Sequence, residues 1–171
     1  MPSLLAIDAS KYVGHAYFKS AADKPLCRTW VAEGLWNSDD YAPYFLAFET
    51  WLNGMLDVMQ PDIFAFESPI VVPRRDGRGS DENNVRRLIG IVSVAELICA
   101  RRKTPCYEVH NQSAKAFVGM PRGKDKNGMI VAMTQKGFSV ADSHQSDACA
   151  VALVVYDQIG GGSGFQIRGI R

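Results

Sequence analysis

The sequence predicts an α/β domain built on a mixed sheet flanked by helices. Three observations predict it. Short apolar runs of strand length recur, notably at residues 3–8, 62–67 and 106–109. The segment between Pro43 and Pro61 carries Tyr44, Phe45, Phe48, Trp51, Leu52, Met55, Leu56 and Met59 at helical spacing. The order of elements is three strands, helix, strand, helix, strand, helices, which is the pattern of a mixed sheet covered by helices.

Residues 3–8 read as a central strand and Tyr12–Lys19 as its neighbour across the Ala9-Ser10-Lys11 turn. Gly14, inside that second strand, points to a close backbone approach. Arg28–Gly34 alternates in polarity and suits a third, antiparallel strand. Pro43 then opens the amphipathic helix and Pro61 marks its end. Residues 62–67 form the fourth strand, and the segment from Ser68 to Asn84, rich in Pro, Gly and Arg, reads as a loop. Val85–Lys103 is a long helix whose centre, Leu88 to Ala95, is apolar nearly all round. Such a helix must be covered on every side. One face can pack on the sheet, and the other suits either burial within the monomer or, by preference, a partner helix across a two-fold axis. Cys106–Val109 is the fifth strand. A short helix from Asn111 carries Lys115, Pro121–Gly128 is a basic turn, and Met129–Lys136 is a further helix. Asp142 or Ser143 caps the last helix, which runs to about Asp157. These assignments give five strands in one domain over residues 1–158, with 159–171 as a flexible Gly-rich tail.

With 171 residues, 47% hydrophobic and 22% charged, the chain is long enough for one domain with a substantial core. No apolar run is long enough to span a bilayer, and the N-terminus lacks a signal-peptide layout. Cys27, Cys99, Cys106 and Cys149 are widely scattered and make no CxxC pair. Buried thiols, a reducing cytoplasmic setting and no structural zinc are therefore expected. The net charge of +1 hides an asymmetry: residues 74–126 hold twelve Lys and Arg against six acidic residues, and the rest hold seven against twelve. A basic middle of this kind is the pattern of an electrostatic footprint on one side, while any one of these charges alone reads as part of a solvated helix face.

Four side chains sit where the surrounding pattern asks for apolar ones. Asp8 ends the run Leu4-Leu5-Ala6-Ile7, and Glu67 ends Ile63-Phe64-Ala65-Phe66. His144 and Asp147 open the apolar run Ala148–Val155, three residues apart and so on one helix face. Buried acids are costly unless paired or bound to metal. The two strands can be sheet neighbours with the last helix across their ends, so all four are expected to converge on divalent ions. Hard carboxylate oxygens suit Mg²⁺ or Mn²⁺, and a histidine can share the coordination or handle a proton. Asp142, five residues before Asp147, falls on another helix face and is read as a cap. His15 and His110 are read as surface or hydrogen-bonded histidines, and Trp30, Trp36 and Trp51 as packing residues.

These residues resemble those of the RuvC-type Holliday junction resolvases, on the ribonuclease H-like fold, most closely the divergent phage-borne members. The resemblance runs from Leu4 to about Tyr156. The family's first Asp matches Asp8 in Ala6-Ile7-Asp8, and its Glu matches Glu67 in Phe66-Glu67-Ser68. Its C-terminal pair matches His144 and Asp147-Ala148, and its lysine before a Val-Gly matches Lys115 in Ala114-Lys115-Ala116-Phe117-Val118-Gly119. A second basic position matches Lys126. The usual Asp-Pro-Gly is here Asp8-Ala9-Ser10, and the position that often carries an aromatic side chain is Ile70.

The resemblance implies a ribonuclease H-like mixed five-stranded sheet and a homodimer formed through the 85–103 helix. It implies a Mg²⁺- or Mn²⁺-dependent endonuclease that nicks opposed strands of a four-way DNA junction by a two-metal mechanism, working in a bacterial or phage-infected cytoplasm. Asp8, Glu67, His144 and Asp147 would hold the metal, with Lys115 also catalytic. Arg74, Arg75, Arg78, Lys115, Arg122, Lys124 and Lys126 would contact DNA. The rival readings are a nuclease for flaps, forks and other branched DNA, and a DNA-structure-binding protein without turnover. An actin-like nucleotide-binding domain is disfavoured, because glycine-rich phosphate turns are missing from the expected places.

Overall fold

The computed structural model describes residues 1–69, 82–119, 126–161 and 167–170, the side chains of 126, 167 and 170 excepted. Six strands form one sheet in the order β3-β2-β1-β4-β5-β6. They are β1 (Leu4–Asp8), β2 (Val13–Phe18), β3 (Leu26–Trp30), β4 (Ile63–Glu67), β5 (Cys106–Val109) and β6 (Ile167–Ile170). β1, β4 and β5 run parallel to one another. β2 is antiparallel to β1, β3 to β2, and β6 to β5. The parallel pairs need long crossovers, which α1 (Ala42–Met59) and α2 (Glu82–Arg102) supply. Three further helices follow: α3 (Asn111–Phe117), α4 (Lys126–Gln135) and α5 (Ser143–Ile159).

Local chemistry fixes several boundaries. Pro43 lies in the first turn of α1, where its missing N–H costs no hydrogen bond. The helix ends at Gln60, whose backbone is left-handed and whose N–H donates to the carbonyl of Leu56. β3 lies at 26–30 rather than 28–34, because Leu35 N–H closes a turn onto the carbonyl of Ala32 and Gly34 is left-handed. Polarity alternation continues past the strand, but the backbone has already turned.

The period-two pleat sorts the strand side chains between two apolar layers. Leu5, Ile7, Phe64 and Phe66 face α1 and α2, where Phe48, Leu52, Ile91 and Ala95 meet them. Leu4, Ala6, Ile63, Ala65 and Val109 face α5, with Met129 and Met133 of α4 and Ala114 of α3 completing that layer. Full burial of each Leu, Ile or Phe is worth roughly 1.5–3 kcal/mol. Trp30 stacks on Trp51 at 5.2 Å and belongs to the α1–α2 layer, as expected for a packing residue.

One expectation needs correction. The sheet has six strands, not five, because four residues of the segment read as a flexible tail pair along β5. An unpaired β5 would leave a row of open backbone groups, and Arg168 of β6 adds ion pairs to Glu108 and Glu96. α2 packs one face on the sheet, while among the described residues its other face is uncovered: Ile89 and Leu97 are 45% and 50% exposed, with Ser93 exposed between them. The helix buried on nearly all sides is α5, clasped between the sheet, α3 and α4.

Candidate active site

Asp8 and Glu67 end two adjacent parallel strands. Ala6 pairs with Ala65 and Ile7 with Phe66, so the register carries Asp8 beside Glu67. The same pleat that turns Leu4 and Ala6 toward α5 turns Asp8 that way, as Ile63 and Ala65 do for Glu67. Both acids are buried, at 6% and 9% exposure. The carboxyl ends of parallel strands are where crossing helices leave a crevice in open α/β sheets.

α5 reaches this crevice with its first turn. Asp142 caps it, accepting from Gln145 N–H at 2.8 Å, as the sequence suggested. Thr29 of β3 donates its hydroxyl to the other Asp142 oxygen at 2.6 Å, so the cap is tied to the sheet. Gly14 is the register partner of Asp8. A Cβ on Gly14 would lie 2.1 Å from the carbonyl carbon and oxygen of His144, so the helix rests directly on the strand backbone there. The close approach expected at Gly14 is this contact.

His144 Nδ1 lies 2.6 Å from Asp8 Oδ2. Ser10 Oγ lies 3.1 Å from the same ring nitrogen and 3.2 Å from the same carboxylate oxygen. Asp8 lies beside Glu67, and the charges of Asp8 and Asp147 both reach the Glu67 carboxyl. Asn111, the first residue of α3, donates its side-chain amide to Glu67 Oε1. Burial, followed by the charges of Asp8 and Asp147, holds the Glu67 carboxyl well above the ordinary carboxylate range, against the pull of Asn111. The structure therefore brings Asp8, Glu67, His144 and Asp147 into one cluster from three separate elements.

The donor chemistry fits a divalent cation. Three acids crowd together, and among the described residues no Lys or Arg is ion-paired with Asp8 or Glu67. As the side chains stand, no three His, Cys, Asp or Glu among the described residues form a cation cage. Holding a cation there would require the Glu67 carboxyl to be ionised and the acids to re-aim.

The remaining candidates divide. Lys115 lies half-buried on α3, the helix that Asn111 starts beside Glu67. Arg74, Arg75, Arg78, Arg122 and Lys124, Ile70 and the side chain of Lys126 lie outside the described residues. His110 caps α3, accepting from Gln112 N–H at 3.3 Å. His15 is buried with its ring edge against Trp51. Arg101 and Arg102 pair with Glu49 and Asp57 of α1 and so bind two helices together. Sequence reasoning missed Ser10 and Asn111. Ser10 sits in an ordinary turn, and Asn111 reads as a helix-start residue. Only the parallel pairing of β4 with β5 brings Asn111 to Glu67.

No protein-family model and no curated protein matches the sequence. Solved structures do match. The chain is similar to Thermus thermophilus RuvC in complex with a Holliday junction substrate, at a TM-score of 0.72 and 12% identity, covering 97% of this chain and 100% of that one. A second Thermus thermophilus RuvC structure matches at 0.67 and 16% identity, covering 96% and 99%. The yeast mitochondrial Holliday junction resolvase Ydc2 matches at 0.58 and 14% identity, covering 88% of this chain and 76% of that one. The chain therefore has the ribonuclease H-like fold of these resolvases along nearly its whole length.

Proposed function

We propose that the protein is a divalent-metal-dependent endonuclease that resolves four-way DNA junctions. One observation carries the proposal: buried Asp8 and Glu67, with His144 and Asp147 brought to them by α5, gather at the carboxyl ends of parallel strands. The fold shared along nearly the full chain with resolvases, one of them holding a junction, supports the substrate class.

Asp8, Glu67, Asp147 and His144 would hold Mg²⁺ or Mn²⁺, which when bound supplies Lewis acidity at the scissile phosphate. The rest falls to the chain's own groups. Asn111 orients the Glu67 carboxylate, and Ser10 fixes the His144 ring against Asp8. The burial of both acids strengthens every charge interaction in the crevice. Lys115 and Lys126 neutralise the backbone phosphate beside the reacting bond, while Arg74, Arg75, Arg78, Arg122 and Lys124 bind flanking phosphates. Pairing of two copies through the exposed α2 face, around Ile89 and Leu97, sets two such sites on opposed strands.

Incubation with synthetic four-way junctions, forks, flaps and duplexes in Mg²⁺, Mn²⁺ or EDTA tests the reading. Paired symmetric nicks in the junction, abolished by EDTA, are expected. Equal cutting of forks and flaps would replace junction resolution with a broader branched-DNA activity. Tight junction binding without cutting in either metal would leave a structure-binding protein.

A further inference from the structure

Cys27 on β3 and Cys149 on α5 are 122 positions apart in the chain, yet their sulfurs approach to 3.3 Å. A disulfide has an S–S length of about 2.05 Å, so roughly 1.3 Å of movement separates this contact from a bond. The two thiols are differently placed. Cys149 is fully buried in the α5 layer. Cys27 is half-buried and lines an open cavity of about 460 Å³ with Arg28, Thr29, Ser139 and Gln145. A reachable thiol in contact with a buried second thiol is the arrangement of a reactive and a resolving cysteine.

We propose that Cys27 and Cys149 form a reversible disulfide, a two-electron oxidation site that accepts soluble disulfides through the cavity beside β3. With an oxidant RSSR, the Cys27 sulfur attacks one sulfur, the R–S–S–R bond breaks, and the first RS⁻ leaves with the Cys27 proton as RSH. The Cys149 sulfur then attacks the Cys27 sulfur of the mixed disulfide, and the second RS⁻ leaves with the Cys149 proton. One external disulfide is reduced to two thiols as the protein dithiol is oxidised. The bond joins β3 to α5 two residues beyond Asp147, on the two elements that Thr29 and Asp142 already link. Cys99 and Cys106 are both buried, so the Cys27–Cys149 pair closes first.

The full chain, reduced and freed of thiols, is titrated with glutathione disulfide, followed by non-reducing digestion with mass spectrometry and by thermal melting. A Cys27–Cys149 cross-linked peptide is expected ahead of any other. The melting midpoint should rise by roughly 5–15 °C, as a long-loop disulfide predicts for a domain of this size, and return with dithiothreitol. Cys27→Ser, a change at a half-exposed position, should melt like the reduced protein and show no shift with oxidant. Absence of the cross-link at saturating oxidant, or its appearance only after Cys99–Cys106 has closed, overturns the proposal.

Discussion

At the scale of single residues, the site depends on contacts with little tolerance. Gly14→Ala puts a methyl group where the carbonyl of His144 lies, and backbone cannot rotate out of the way as a side chain can. The variant should lose about 1–3 kcal/mol of stability by urea denaturation, and cleavage should fall as His144 is pushed from Asp8. Asn111→Ala removes the donor to Glu67 without touching the four proposed ligands. A loss of roughly 10–100-fold in activity is expected, of the size seen when the partner of a metal ligand is removed. Raising the metal concentration should recover part of it. His15 has a different role. Burial lowers its pKa from 6.5 to about 4, with Arg28 adding to the effect and the Val13 backbone opposing it. The unfolded chain therefore binds a proton that the folded chain refuses between these two values. Stability should fall as pH drops from 6.5 toward 4, and urea midpoints across that range should fall less steeply for His15→Gln.

At the scale of elements, α5 and α2 contribute in opposite ways. α5 is buried along most of its length, so its capped first turn is held rigidly against Gly14 and delivers His144 and Asp147 to the strand ends. Its start was legible in the sequence, because an Asp before an apolar run is a capping signal and the residues three apart share a face. α2 spends its apolar residues less completely. Ile91, Ala95 and Ile98 are buried against the sheet, while Ile89 and Leu97 stay exposed with Ser93 between them. Leu97→Glu should alter monomer stability by no more than about 0.5 kcal/mol, yet reduce the solution mass from a dimer to a monomer by light scattering. An unchanged mass would rule out the proposed pairing of two copies through α2. β6 was hidden from sequence reading for a clear reason. Its glycine-rich approach has the composition of a linker, and its pairing depends on the β5 edge and on the Arg168 ion pairs to Glu96 and Glu108.

At the scale of the whole molecule, the fold and the cluster come from the same two periodicities. Period two in β1 and β4 turns Asp8 and Glu67 to the α5 face, and period 3.6 in α5 aligns His144 with Asp147. The four residues of the proposed site stood out in the sequence because each breaks an apolar pattern where burial makes a charge expensive. Ser10 and Asn111 were not, because small polar residues at turns and helix starts are what local structure alone would select. They acquire meaning only from the parallel register and the helix crossing. The measurement that bears most directly on the account is cleavage and binding of one synthetic four-way junction by the native chain and by Asp8→Asn, Glu67→Gln and Asp147→Asn. Each variant should bind the junction at native affinity in a gel shift and produce no nicks in Mg²⁺. Native-level nicking by any one of them, or loss of junction binding by a folded variant, would contradict the assignment of these acids to the metal.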